Sequence, residues 1–227
     1  TRSKMHIVLG RKFDAANLME DDADIVCSAP DHLETPSSVW AQSLAAGDLN
    51  GDGAADLLVG HPDHLSDSGH IEIIDAPATG TTCSIDDLTR TIVEGALDSR
   101  VGRTFLATDL DGDAIDDLVF TANPSDELPP NGSVGIIYGE ALEDGWYEAH
   151  FDGHTSTEGD AIEVDGWFLG TEDNPLHGNR ITLASGGDAN NDDFLDLLVG
   201  TPEYDPPDSA FPLPGGRVHL FAGGMTP

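Results

Sequence analysis

The sequence predicts an all-β chain assembled from repeated units of four short antiparallel strands, and three observations carry that expectation. Apolar residues make up 38% of the 227 residues but are interrupted by 26 Gly and 14 Pro, a pattern of short strands and turns rather than of helices. One block occurs three times, as AAGDLNGDGAADLLVG at 45–60, FLATDLDGDAIDDLVF at 105–120 and SGGDANNDDFLDLLVG at 185–200. Each copy is followed by a proline turn and then by Gly and an alternating strand: GHIEII at 69–74, GSVGIIY at 132–138 and GGRVHLF at 215–221.

Taken in order, the unit reads as strand, acidic loop, strand, proline turn, strand and a fourth strand. The lead-ins WAQSLAAGD, RTFLATD and RITLASGGD supply the first strand, and the apolar runs that close each block supply the second. The turns are Gly60-His61-Pro62, Ala122-Asn123-Pro124 and Gly200-Thr201-Pro202. Candidates for the fourth strand are Thr89–Val93 after the first copy and Trp146–Phe151 after the second. The first Asp recurs at 48, 109 and 188, and the longer second interval contains Asp152–Gly170, read as an insertion of one or two strands or a loop. A repeat of about 60 residues with four antiparallel strands is a β-propeller blade, and successive blades bury their apolar faces against each other around an axis.

The whole chain then reads as one propeller segment: a partial or degenerate blade at 1–38, then blades at 39–100, 101–177 (insertion at about 152–170) and 178–227. In the first part, Met5–Leu9 resembles a third strand and Ala23–Pro30 a fourth. Alternatively, ADIVCSAPDHL at 23–33 aligns with ADLLVGHPDHL at 55–65 as a decayed loop and strand, whose ligand positions Ala16, Leu18 and Glu20 would not hold a cation. Three to four blades are fewer than the roughly four to eight of a closed ring. The expectation is a fragment of a larger propeller, or one completed by a second chain. Thr1 in place of an initiator Met and the ending Ala-Gly-Gly-Met-Thr-Pro suggest trimmed ends.

The net charge of −34, from 43 Asp+Glu against 9 Lys+Arg, argues against nucleic-acid partners and anionic membrane surfaces, because both would be repelled. No run is long and apolar enough for a membrane span, so no membrane insertion is expected. Carboxylates in such excess suit metal ligation, a solvated surface in a saline medium, or both. Cys27 and Cys83 are the only cysteines; one disulfide in an oxidising compartment and two buried thiols both fit.

The acidic loops carry the chemistry. Counted from the first Asp, oxygen ligands fall at positions 1, 3, 5 and 9, with a backbone carbonyl at 7. They are Asp48, Asn50, Asp52 and Asp56 with Ala54; Asp109, Asp111, Asp113 and Asp117 with Ile115; and Asp188, Asn190, Asp192 and Asp196 with Phe194. Hard oxygens on alternate residues of a tight loop converge on one point, and calcium accepts six to eight of them. About three Ca2+ ions of structural role are expected. An EF-hand requires Glu at position 12; here that position holds Val59, Phe120 and Val199, so strands rather than helices follow the loops. Position 6 demands a sharp turn, and Ala114 suits it less well than Gly53 or Asp193.

With D-x-(D/N)-x-D-(G)-x-x-D-L in three copies and V-G-x-P behind the first and V-G-T-P behind the third, the chain resembles the FG-GAP repeat of integrin α-subunit propellers and related bacterial secreted proteins. The resemblance covers roughly 39–75, 101–139 and 178–222. It implies a calcium loop between the first two strands of each blade, a secreted or cell-surface location, and recognition of a protein or cell-surface ligand by loops. The Phe-Gly lead-in survives only as Val101-Gly102 and His177-Gly178, and the second turn reads V-F-T-A-N-P.

Binding rather than catalysis is the expected task. His61, His64, His70, His150 and His154 lack the helical spacing of a zinc motif and read as loop histidines. Ser68 lies in a turn without a G-x-S-x-G elbow. Trp146, Tyr147 and Trp167 could form a sugar platform, which keeps a carbohydrate-binding propeller, lectin-like or the non-catalytic part of a polysaccharide-degrading enzyme, as the alternative. Trp40, opening a first strand, is expected in inter-blade packing.

Overall fold

The computed structural model describes residues 4–7, 23–29, 41–64, 67–76, 82–123, 133–150, 160–163, 166–169, 181–202 and 216–224. Over these residues the protein is built of strands and two 3-10 turns, at Ile85–Asp87 and Gly139–Ala141, with no α-helix. No helix is long and apolar enough to cross a membrane.

Each repeated block makes the first two strands of a sheet. In the first unit β3 (Ser43–Gly47), β4 (Asp56–His61), β5 (His70–Ile74) and β7 (Thr89–Glu94) form an antiparallel meander. β7 is the fourth strand expected there. The second unit pairs β8 (Phe105–Thr108), β9 (Asp117–Ala122) and β10 (Ser133–Ile137) with β13 (Gly166–Leu169). The third has β14 (Thr182–Gly187), β15 (Asp196–Thr201) and β16 (Arg217–Phe221). Ahead of them, β1 (Lys4–Ile7) and β2 (Ile25–Ser28) pair antiparallel, the arrangement expected of a third and fourth strand. Ala16, Leu18 and Glu20 of the decayed-loop alternative lie outside the described residues, as does Trp40.

One expected strand goes elsewhere. β11 (Gly145–His150), read from sequence as the fourth strand of the second unit, instead lies parallel to β7 of the first, and β12 (Asp160–Glu163) lies parallel to β11. The place in the second sheet belongs to β13, within the stretch read as an insertion. The first unit does the same thing: β6 (Thr82–Ser84), between its third and fourth strands, lies parallel to β2 of the preceding sheet. In both units the chain between strands three and four reaches back and extends its neighbour. Arg90 and Thr91 of β7 help anchor the second crossing, donating to the carbonyls of Leu142 (3.0 Å) and Glu143 (2.8 Å).

Alternation along the strands gives each sheet two apolar faces, so the sheets stack with a core in every gap. Cys27, Val59, Ile74 and Ile85 fill the gap between the N-terminal sheet and the first unit. Leu58, Ile71, Ile73, Val93, Leu118 and Phe120 fill the next. Val119, Val134, Ile136, Leu197 and Val199 fill the third. The first strands β3, β8 and β14 run side by side, β8 in contact with both others. Over the described residues the stack is open: Leu198, Val218 and Leu220 of the last sheet are exposed, Val218 to 68%. Cys27 and Cys83 are cross-strand partners on β2 and β6 and are bridged, which resolves the open cysteine question as a disulfide.

Candidate metal centres

The acidic loops 48–56, 109–117 and 188–196 each join the first two strands of a unit, β3–β4, β8–β9 and β14–β15. One hydrogen-bond lattice recurs in all three. At position 1, Asp48 Oδ2 accepts the N–H of Gly53 (2.8 Å), Asp109 Oδ2 that of Ala114 (3.0 Å) and Asp188 Oδ2 that of Asp193 (3.0 Å). At position 3, Asn50, Asp111 and Asn190 accept the N–H two residues on, at 2.9, 3.1 and 3.0 Å. At position 5, Asp52, Asp113 and Asp192 accept from Ala54, Ile115 and Phe194, at 2.8, 2.7 and 3.1 Å. These are Asx turns in series, which short acidic side chains form with their own backbone. They leave the second lone pairs of each oxygen set available.

Position 9 is the first residue of the second strand. Asp56, Asp117 and Asp196 are buried, 1–2% exposed, and each accepts the N–H of position 2, from Leu49, Leu110 and Ala189 at 3.2, 2.8 and 2.7 Å. Position 12 completes the rejection of the EF-hand: Val59, Phe120 and Val199 are core residues of β4, β9 and β15.

Position 6 has positive φ throughout: +85° at Gly53, 72° at Ala114 and 72° at Asp193. The sequence reading missed that position 4 does too, at Gly51 (69°), Gly112 (88°) and Asn191 (63°). Gly-Gly-Asn at one loop position was the readable signal, since these residues enter the left-handed region at least cost. Space is a second reason. The position-7 side chain of each later loop lies over the position-4 glycine of the loop before it, Ile115 over Gly51 and Phe194 over Gly112. Position 8 of the second loop adds a reciprocal pair: Asp116 N–H donates to the Asp48 carbonyl (2.8 Å) and Asp48 N–H to Asp116 Oδ2 (2.9 Å). The loops therefore double as an inter-sheet joint.

Ala114 carries a methyl group where the backbone is left-handed, at a cost of roughly 1–2 kcal/mol. Glycine forfeits about 0.5–1 kcal/mol of this through its freer unfolded chain. Ala114→Gly is expected to raise stability by about 0.5–1 kcal/mol, read as a shift in urea midpoint, and Asp193→Gly by less.

The electrostatics suit a cation. In the second loop, burial pushes Asp117 up to about 7 against the N–H groups of Leu110 and Gly139, and the charges of Asp111 and Asp109 push the same way. Burial also raises Asp111, with the backbone N–H of Asp113 opposing and Asp113 and Asp109 repelling it. Asp188 is exposed; desolvation is the largest single influence and raises its carboxyl, but the backbone N–H groups of Asp193, Asp192, Asn191 and Asn190 together outweigh it and hold the carboxyl low. In the first loop burial raises Asp56, and Arg90 opposes it through Nη2 at 3.2 Å from Oδ2. Arg90 was not singled out from sequence; it supplies this loop with a fixed positive charge.

The oxygens of the second loop are spaced for a hard divalent ion. Carboxylate oxygens of Asp109, Asp111 and Asp113 all lie within 4.8 Å of one another. Oxygens around Ca2+, at 2.3–2.6 Å, stand at most roughly 4.6–5.2 Å apart.

The aromatic and histidine expectations fare differently. Trp146 is exposed on β11 and donates its indole N–H to Glu94 (2.8 Å), whereas Tyr147 turns the other way and packs on the core between the first two units. Trp167 sits on β13 in another sheet, and its side chain is outside the described residues. The described residues thus bring no Trp146–Tyr147 platform together, because neighbours on a strand face opposite ways. His61 and His70 are not loop histidines: both are buried strand residues, facing each other across β4 and β5. His154 is outside the described residues. Ser68 is buried, its hydroxyl donating to the carbonyl of His64.

Residues 40–71, from the entry to β3 through the first acidic loop and β4 into β5, match the family model of the FG-GAP repeat. Such repeats typically form β-propellers and occur in extracellular and surface proteins.

Proposed function

We propose that this chain is a calcium-stabilised, secreted or cell-surface binding module, one part of a β-propeller, that recognises a protein ligand through loops at the edge of its sheets. The observation that carries the reading is the threefold recurrence of one oxygen-rich loop lattice at the same junction of strands, the first of which lies within the FG-GAP match. Asp48, Asn50, Asp52, Asp56 and the Ala54 carbonyl would hold one ion. Asp109, Asp111, Asp113, Asp117 and the Ile115 carbonyl would hold the second, and Asp188, Asn190, Asp192, Asp196 and the Phe194 carbonyl the third. Bound Ca2+ supplies charge that relieves repulsion among the carboxylates; the residues themselves set the loop shape and, through positions 4, 7 and 8, the seat of one sheet on the next.

The disulfide supports an oxidising compartment. The exposed apolar face of the last sheet supports a ring completed by further blades or another chain. Rigid sheets carrying variable loops suit recognition. A protein partner is favoured over a glycan because Trp146 and Tyr147 face apart. Binding to a glycan array and to an array of extracellular proteins, each with Ca2+ and with chelator, tests the choice. Calcium-dependent protein hits with a blank glycan array are expected; saturable glycan binding lost in Trp146→Ala would establish the carbohydrate alternative instead.

A further inference from the structure

Among the described residues outside the acidic loops, metal-ligating side chains gather at the end of the first sheet that carries its β4–β5 turn. We propose that His61, His70 and Glu72 form a second class of metal site, one that takes a transition-metal dication of the Zn2+ type.

His61 closes β4 and His70 opens β5, and the two are direct cross-strand partners. Glu72, two residues on from His70, points to the same face, opposite Val59. That face is the one buried against the N-terminal sheet. All three are removed from solvent, at 2%, 0% and 0% exposure. His61 Nε2 lies 3.0 Å from Glu72 Oε2 and His70 Nε2 3.9 Å from Glu72 Oε1, and one ligand atom from each residue lies within 4.8 Å of the others. Zinc bonds of about 2.0–2.2 Å set tetrahedral ligand pairs roughly 3.3–3.5 Å apart, and the two distances to the carboxylate bracket that value.

His64 acts as a positioning residue. Its Nδ1 lies 3.1 Å from His70 Nδ1, with the rings edge to face. One of these nitrogens must donate. With the proton on His70 Nδ1, the lone pair of Nε2 is aimed at the Glu72 side, and the outer ring nitrogen makes the supporting hydrogen bond that metal-bound imidazoles usually have. Two imidazoles and one carboxylate favour Zn2+ over the all-oxygen preference of Ca2+. All three ligands are shut off from solvent, so a structural ion loaded during folding fits better than a catalytic one.

The test uses the untagged full chain, unfolded with chelator and refolded in excess Ca2+ with or without Zn2+, so that the acidic loops are taken by calcium. The expected result is one Zn2+ retained per chain, a zinc X-ray absorption spectrum showing two imidazole ligands, and affinity reduced at least ~100-fold in Glu72→Gln and about 10-fold in His64→Ala. The wild-type spectrum decides the matter should Glu72→Gln fail to fold. No retained zinc, a zinc shell of oxygens without imidazole, or unchanged affinity in folded Glu72→Gln would overturn the site, and none of these outcomes bears on calcium at the acidic loops.

Discussion

Withdrawing calcium with a chelator should lower the melting temperature by about 8–16 °C, read by circular dichroism at fixed pH and ionic strength. The size follows from the three loops. Sites with a dissociation constant of about 0.1 mM, within the span seen for extracellular calcium modules, each contribute roughly 1.4 kcal/mol at millimolar Ca2+. Three of them sum to about 4 kcal/mol, and a chain of this size moves roughly 2–4 °C per kcal/mol. Without the ion, the buried Asp117 must sit close to Asp109 and Asp111, which already repel its charge. Magnesium should substitute poorly, because its short bonds, rigid octahedron and reluctance to shed water do not suit a site built wholly from loop oxygens. A melting curve indifferent to chelator contradicts the structural role.

Replacing the disulfide should have a comparable effect in a different place. The Cys27–Cys83 bridge closes a loop of sequence separation 56 and ties the N-terminal sheet to the first unit. Chain entropy alone assigns such a bridge about 4 kcal/mol. The double variant Cys27→Ala/Cys83→Ala is expected to melt about 8–16 °C lower, with amide exchange accelerated first in β1, β2 and β6. The acidic loops and β9 should stay protected, since their packing is on the other side of the first sheet. Equal acceleration throughout would mean that the stack unfolds as one cooperative unit, and an unshifted melting curve would mean that the bridge constrains nothing.

The parts of the fold that were legible in sequence are those governed by local rules. Alternation and Asp spacing placed the strands on either side of each loop, because a period of two and an Asx turn depend only on near neighbours. The apolar residues at position 12 were enough to exclude helices. Crossings were not legible. β11 has the pattern of any half-buried strand, and nothing in GWYEAH says which sheet edge it will extend. That choice rests on β7 offering a free edge and on Arg90 and Thr91 meeting the carbonyls of Leu142 and Glu143. The His61–His70–Glu72 cluster was hidden for the same reason: proximity in sequence suggested a loop, while the strand register put two of the three opposite each other. Positive φ at Gly51, Gly112 and Asn191 could have been inferred from residue type, but the loop-over-loop contacts of Ile115 and Phe194 required the stacking of the sheets.

Calorimetric titration of Ca2+ into the chelator-stripped chain tests the oxygen loops most directly, with Asp48→Asn, Asp109→Asn and Asp188→Asn titrated beside the parent. Three ions per chain are predicted, falling to two in each single variant while the fold persists. Absence of saturable heat, or a stoichiometry that none of these three substitutions changes, would contradict the account.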